Sequence, residues 1–296
     1  MLVKKKVKRW AWGYMFVAPT IIGLIILNIW PIIQTVILSF QKSLGFNRYE
    51  FAGLENYIKL LSDGDVWLGL KNTFVFALIS VPVSIFLSLI FAWLLCKPIR
   101  GTSVYRMIFF LPLVAAPAAV TMVWSWIYNT EFGVLNYLLG FLGIPKISWL
   151  NDTRYTMLSL IIIAVWSSLG QQIIILIVAI KNVPKTYYEA AEIDGASDRK
   201  KFFSIMAPLV SPNLFFLTVT GLIGALGQFD LVYMIYGTGN SQALDSVKTI
   251  MYQYYRQSFV VQDKAYGSAI AVVALVIILA LTGVQMKLQK KLVFYE

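Results

Sequence analysis

Ser167, Ser168, Gln171 and Gln172 interrupt an otherwise apolar run, and Gln228 ends another that carries Gly221 and Gly224. Ser168 stands three residues from Gln171 and four from Gln172, so the three share one face of a helix. A glutamine amide both donates and accepts hydrogen bonds, and so does a serine hydroxyl. Such a face can hold a neutral, hydroxyl-rich solute without offering it a formal charge. In lipid, polar groups of this kind face a cavity or a bundle interior, because hydrocarbon cannot satisfy them. The competing reading is glue between helices, where small and polar residues let backbones approach and bond. Gly221 and Gly224 favour the glue reading, whereas Ser168, Gln171 and Gln228 fit both equally. Ser168, Gln171, Gln172 and Gln228 stand as the candidate solute-path set. Asp230 reads as a structural carboxylate that caps a helix or pairs with a basic group near the outer surface.

The elements that must position these groups are membrane spans. Of the 296 residues, 59% are hydrophobic and 13% charged, about half the charged share of a soluble domain. Mean hydropathy is +0.73. A soluble fold of this length cannot hide so much apolar surface. A span needs about 20 apolar residues, and six stretches qualify: 12–40, 72–96, 107–128, 157–180, 209–232 and 265–286. Asp230, in the fifth, is the one charged residue in any of them. The expected fold is all-α: a polytopic membrane protein with a basic segment 1–11 followed by one transmembrane domain over 12–296.

Basic residues set the direction of the spans. Segments 1–11, 97–106, 181–208 and 287–296 hold 16 of the 25 Lys and Arg residues, although the segments between them are longer. Both termini and the loop 181–208 are therefore expected in the cytoplasm. The net charge of +11 reads as positive-inside anchoring to membrane lipid, with no nucleic-acid partner. Trp10, Trp12 and Tyr14, and again Trp124, Trp126 and Tyr128, read as interfacial aromatic belts. Pro19, Pro31, Pro112 and Pro117 fall inside spans. Each removes a helix hydrogen bond and kinks the helix, which favours a packed bundle around an interior path over independent anchors.

Several chemistries are excluded. Histidine is absent and Cys96 is the sole cysteine, so His-based catalysis, an intrachain disulfide and a cysteine metal cluster have no residues to use. No phosphate-binding G-x-x-x-x-G-K-[ST] run occurs. No span carries a carboxylate pair or a nucleophile motif, so no enzyme activity and no cofactor is expected. A solute carrier driven by an ion gradient is the alternative to an ATP-driven one. It would call for ionisable residues at mid-membrane or for inverted repeats with broken helices, and neither stands out.

The cytoplasmic loop carries the most specific pattern. Asn182-Val183-Pro184 can open a helix, with Pro184 near its first turn. Ala191 and Gly195 lie four apart on one face, small enough for another backbone to approach. Gly195 can end the helix at positive φ. Ser197 or Asp198 can cap a second helix running through Phe202, Phe203 and Ile205 to Pro208.

Glu189-Ala190-Ala191, three residues, Gly195, nine residues, Ile205, Met206, Ala207-Pro208 resembles the E-A-A…G…I-x-L-P pattern of the permease subunits of bacterial ABC importers. Ala207 replaces the usual leucine. The wider string, from Pro184 and Tyr188 through Asp194-Gly195-Ala196-Ser197 and Phe203 to Pro208 and Pro212, is similar to the carbohydrate branch, the maltose and glycerol-phosphate type. So are Leu54-Glu55-Asn56-Tyr57, Leu70-Lys71-Asn72-Thr73, Gly101 with Tyr105-Arg106, Leu111-Pro112, Gly133-Val134-Leu135-Asn136, Trp149-Leu150, Phe229-Asp230 and Tyr266-Gly267-Ser268-Ala269. Tyr236-Gly237-Thr238-Gly239-Asn240 departs from the branch's usual T-x-G-G-P. The resemblance implies that 184–205 is a coupling helix docking on an ATPase subunit. Glu189, Ala190, Ala191, Asp194, Gly195 and Pro208 would build it. It also implies two ATP-binding subunits, a second permease of different sequence, an extracytoplasmic solute-binding protein and a sugar passing near Ser168, Gln171 and Gln228. The protein would lie in the bacterial cytoplasmic membrane.

Overall fold

Apolar runs become helices here because lipid leaves the backbone no other way to satisfy its own hydrogen bonds. The computed structural model describes residues 14–45, 48–98 and 101–294. The basic segment 1–11, with Trp10, and the start of the first expected span at Trp12 lie outside the described residues. Among the described residues the regular structure is helical apart from one short hairpin, and these residues form two compact units, one within 1–63 and 254–273 and one within 64–253 and 274–296.

In the first unit, α1 (Tyr14–Ser39) is apolar along its length and leaves most of its side chains uncovered. It widens into a π-helical stretch at Ile25–Ile29, just before Pro31, which has no N–H to give. β1 (Gln41–Ser43) pairs antiparallel with β2 (Tyr49–Phe51), and α2 (Glu55–Ser62) follows. The Asn56 amide donates to the carbonyls of Ser39 at 2.9 Å and Gln41 at 2.6 Å, fastening α2 to the end of α1. Tyr266 donates to Asp63 at 2.6 Å. At Gly267 a Cβ would fall 2.0 Å from the Ser258 hydroxyl oxygen, so only glycine fits.

The second unit is organised by α3 (Gly64–Cys96) and α7 (Thr153–Asn182), which pack along one another through Phe76, Ala77, Ala92, Leu169, Ile173 and Leu176. Asp152 caps α7, its carboxylate accepting from the Arg154 N–H at 3.0 Å. Between them come α4 (Thr102–Val114), α5 (Pro117–Ile127) and α6 (Val134–Gly140). α4 crosses α7 at Gly170, where a Cβ would meet the Phe109 carbonyl at 2.4 Å. The third expected span, 107–128, is not one kinked helix: α4 and α5 meet at 109° across Ala115-Ala116. Pro117 excludes the helical region for Ala116, which is extended at ψ 139°.

Beyond α7 lie α8 (Lys185–Ile193), α9 (198–209, π-helical over Lys201–Met206), α10 (Ser211–Leu226), α11 (Asp230–Tyr236), α12 (Gln242–Asp245) and α13 (Ile250–Tyr255). α14 (Lys264–Leu292) begins in the first unit and ends in the second. Two motif fragments converge: the buried Asn136 amide donates to the Thr130 and Ile147 carbonyls and accepts from the Trp149 indole at 2.9 Å. Of the expected aromatic belts, Tyr14 and Trp126 stay exposed, and Trp12 lies outside the described residues. Tyr128 is buried and stacks on Trp149, and Trp124 packs against Trp166. These rings fill a core because α7 and the 129–152 segment cover them.

Candidate functional site

Ser168, Gln171, Gln172 and Gln228 all line one cavity of about 390 Å³ between α3, α7 and α10. Ser80 and Ser84 of α3 and Thr220 and Gly224 of α10 complete its polar wall, and no charged residue is among its described lining. The four are not equivalent. Gln172 is buried: its amide donates to Ser84 at 3.1 Å and accepts from Ser88 at 2.9 Å. Both valences face α3, so Gln172 ties two helices together. Gln171 is exposed to the cavity. Ser168 returns its hydroxyl proton to the Val165 carbonyl at 2.8 Å and keeps oxygen lone pairs for a ligand.

A second cavity of about 300 Å³ shares Ala164, Ser168 and Gln228 with the first and reaches Pro112, Ala115 and Pro117 at the break of the third span. Gln228 sits at the junction, in the gap between α10 and α11. Asp230 starts α11, lines this second cavity and has no ion pair among the described residues. The expected basic partner is absent there, while the place at a helix start fits the macrodipole. The glycines divide: Gly221 packs against Val81, where a Cβ would lie 3.1 Å from a methyl, whereas Gly224 has open space before it.

The loop 181–208 folds as a helix, a turn and a second helix. Pro184 stands at the N-cap of α8. Gly195 takes φ +69°, and the Ala196 N–H closes the turn on the Ala191 carbonyl at 2.8 Å. The Ser197 hydroxyl accepts from the Lys200 N–H at 3.4 Å, capping α9. Pro208 lies one residue before the end of α9, after the π-helical stretch. Ala191 is buried against its own chain, so the small-residue face that it shares with Gly195 is not the open one. The open face carries Glu189 and Ala190, with Asp194 exposed at the end of α8, and Ile193, four residues on from Glu189, is 88% exposed.

The loop is fastened to the C-terminal end of α3 by Trp93 and Lys97, which no spacing pattern marks. Trp93 packs on Tyr188 at 6.0 Å and edge-on to Phe202 at 5.9 Å, and Lys97 pairs with Asp198 at 2.6 Å. That hydrogen bond holds the Asp198 carboxyl below the usual aspartate range. Lys201 reaches back to Glu192 at 2.7 Å. Burial raises the Tyr188 phenol, whose oxygen has no hydrogen-bond partner among the described residues.

The N-terminal end of α3 is held as firmly. Lys248, its side chain 4% exposed, bonds Asp65 at 2.7 Å and Asp245 at 2.8 Å. Burial pulls the ammonium down, but the two carboxylates outweigh it and its pKa is raised. Asp65 and Lys248 are 183 positions apart, and nothing local signals the pairing.

The family model for the binding-protein-dependent transport system inner membrane component matches residues 69–293. The probable ABC transporter permease protein YurN of Bacillus subtilis is 36% identical over 94% of this chain and 95% of its own length. The trehalose/maltose transport system permease protein MalF of Thermococcus litoralis is 30% identical over 93% of this chain and 92% of its own. A chain of the solved bacterial alginate ABC transporter, in complex with an alginate pentasaccharide-bound periplasmic protein, superposes with a TM-score of 0.86. It is 20% identical and covers 97% of this chain and 96% of that one, a likeness of fold.

Proposed function

The chain belongs to the family of binding-protein-dependent transport system inner membrane components, and from that premise we propose that it forms the membrane path for a neutral sugar or oligosaccharide. The observation that carries this reading is the uncharged cavity on which Ser168, Gln171 and Gln228 converge. Hydroxyl groups of a sugar match amides and hydroxyls that donate and accept, and the carbohydrate relatives agree with that class of solute. The lack of an ionisable group in this cavity weighs against ion-coupled transport.

On this reading a binding protein delivers the solute outside, a second permease completes the path, and two separate ATPase subunits grip α8 in the cytoplasm. The exposed Glu189 and Ile193 supply a charged and an apolar contact on one helix face. Movement of the loop reaches the cavity through Trp93 and Lys97 on α3, whose Ser80 and Ser84 line it. Transport then requires the solute to bind the two states of the bundle unequally. The excess of basic residues in the segments with α8 supports cytoplasmic termini.

The test is Gln228→Ala in the assembled transporter, with uptake measured over a panel of radiolabelled oligosaccharides. The expected result is an apparent KM raised about fivefold, the factor one net hydrogen bond is worth, with copurification of the partner subunits unchanged. Unaltered uptake kinetics would return Gln228 to a helix-packing role.

A further inference from the structure

The outer segment 245–253 is bound to α3 at several points and meets the cavity wall at one. The Asn72 amide donates to the carbonyls of Asp245 at 3.0 Å and Lys248 at 3.1 Å. The Thr73 hydroxyl accepts from the Ile250 N–H at 2.9 Å. Lys248 adds its two carboxylate partners. Gly69 lets the backbones touch: a Cβ there would lie 3.2 Å from the Thr249 carbonyl oxygen. From this fixed base the Thr249 hydroxyl donates to the carbonyl of Gln228 at 2.7 Å, and it accepts from the Tyr252 N–H at 3.2 Å.

Gln228 lies between Leu226, where α10 ends, and Asp230, where α11 begins. It stands outside the regular ladder of either helix, and a carbonyl left unbonded at membrane depth is costly. Thr249 meets that need with a side chain. The bond that satisfies the carbonyl also fixes the backbone from which the Gln228 side chain enters both cavities.

We propose that Thr249 is a positioning residue, setting through one hydroxyl where Gln228 stands in the path. Gln228 thereby answers to the outer segment, although its side chain lies in the bundle. This rests on the reading of the cavity as the solute path, and the two can fail separately.

The experiment uses the full chain in its native membrane, with Cys96→Ser as background and Gln228→Cys as reporter. The probe is a methanethiosulfonate reagent carrying a trimethylammonium group. Thr249→Val, close in shape, removes the hydroxyl, and Thr249→Ser keeps it. Thr220→Cys, exposed on α10 in the same cavity, is the control position. The expected result is a labelling rate at 228 altered about fivefold by Thr249→Val, restored by Thr249→Ser, with the rate at 220 unchanged. A rate at 228 indifferent to Thr249→Val overturns the inference and leaves the cavity reading standing. Equal changes at 228 and 220 mean a loosened bundle and overturn it too. A 228 reporter that never reacts, even with Thr249 intact, overturns the cavity reading and the inference together.

Discussion

The loop 181–208 takes Glu189, Ala191, Gly195 and Ser197 from nine consecutive positions and closes on itself with backbone bonds and one serine cap. The cavity draws Ser84 and Gln172 from two helices and Gln228 from the break between α10 and α11, and each takes its role from what faces it. In the loop a residue's own conformational range decides the structure. In the cavity adjacent residues part company: Gln172 is spent on α3, and Gln171 is open. A substitution in the loop should therefore act through local strain, and one in the cavity through the partner it strands.

The largest effect is expected at Gly195, whose φ is +69° with open space around it. A Cβ there would have nothing within 4 Å, so the cost is that of the left-handed backbone, about 1–2 kcal/mol or more for a β-branched residue. Because α8 and α9 are joined by that turn, Gly195→Val is expected to abolish copurification of the ATPase subunits while the chain still enters the membrane. Full copurification would show that the turn does not depend on the glycine, and the contrast with the cavity would lose its stronger half.

The two neighbouring glutamines give the second test. Gln172→Leu strands the Ser88 hydroxyl and removes the acceptor and donor that join α3 to α7. A loss of about 1 kcal/mol is expected, since hydrogen bonds between membrane helices are worth roughly 0.6 to 2 kcal/mol. It should appear as a lower midpoint of thermal unfolding in detergent, with apparent KM for uptake little changed. Gln171→Leu should do the reverse, moving KM and sparing the midpoint. If the two variants behave alike, the cavity is not divided as its geometry suggests.

The same division explains what could be read from the chain before its fold was known. Gly195 and Ser197 were legible because a positive φ and an N-cap are properties of single residues at fixed offsets. The convergence of Ser168, Gln171 and Gln172 was legible as one helix face. Ser84 and Ser88 were not, because a serine within an apolar span looks the same whether it faces a glutamine or lipid. The Lys248 pairing was hidden by its 183-residue separation from Asp65. The bend at Ala115-Ala116 was half legible: Pro112 and Pro117 announced a distortion, and the extended Ala116 that Pro117 imposes turned the kink into a break of 109°. Tyr128 was misjudged as interfacial because burial under Trp149 is decided by a segment twenty residues away.

The smallest effect belongs to Asp198, where the loop adds a charge pair to the two ring contacts that Trp93 makes with it. Its carboxylate bonds Lys97 at 2.6 Å, but both side chains are substantially exposed, so water and salt screen the pair. The hydrogen bond to Lys97 lowers the Asp198 pKa in the folded chain below its ordinary value of 3.8. A lowered carboxyl pKa means that the pairing contributes in full above the unfolded value and is lost as pH falls through the folded one. Amide exchange over 194–200, referred to Asp198→Asn at each pH, is therefore expected to show slightly greater protection at neutral pH that disappears below the ordinary aspartate range. Protection that persists in acid, or that the asparagine variant shares at pH 7, would mean that α8 and Trp93 alone hold the loop on α3. Packing, and not charge, would then join the loop to α3.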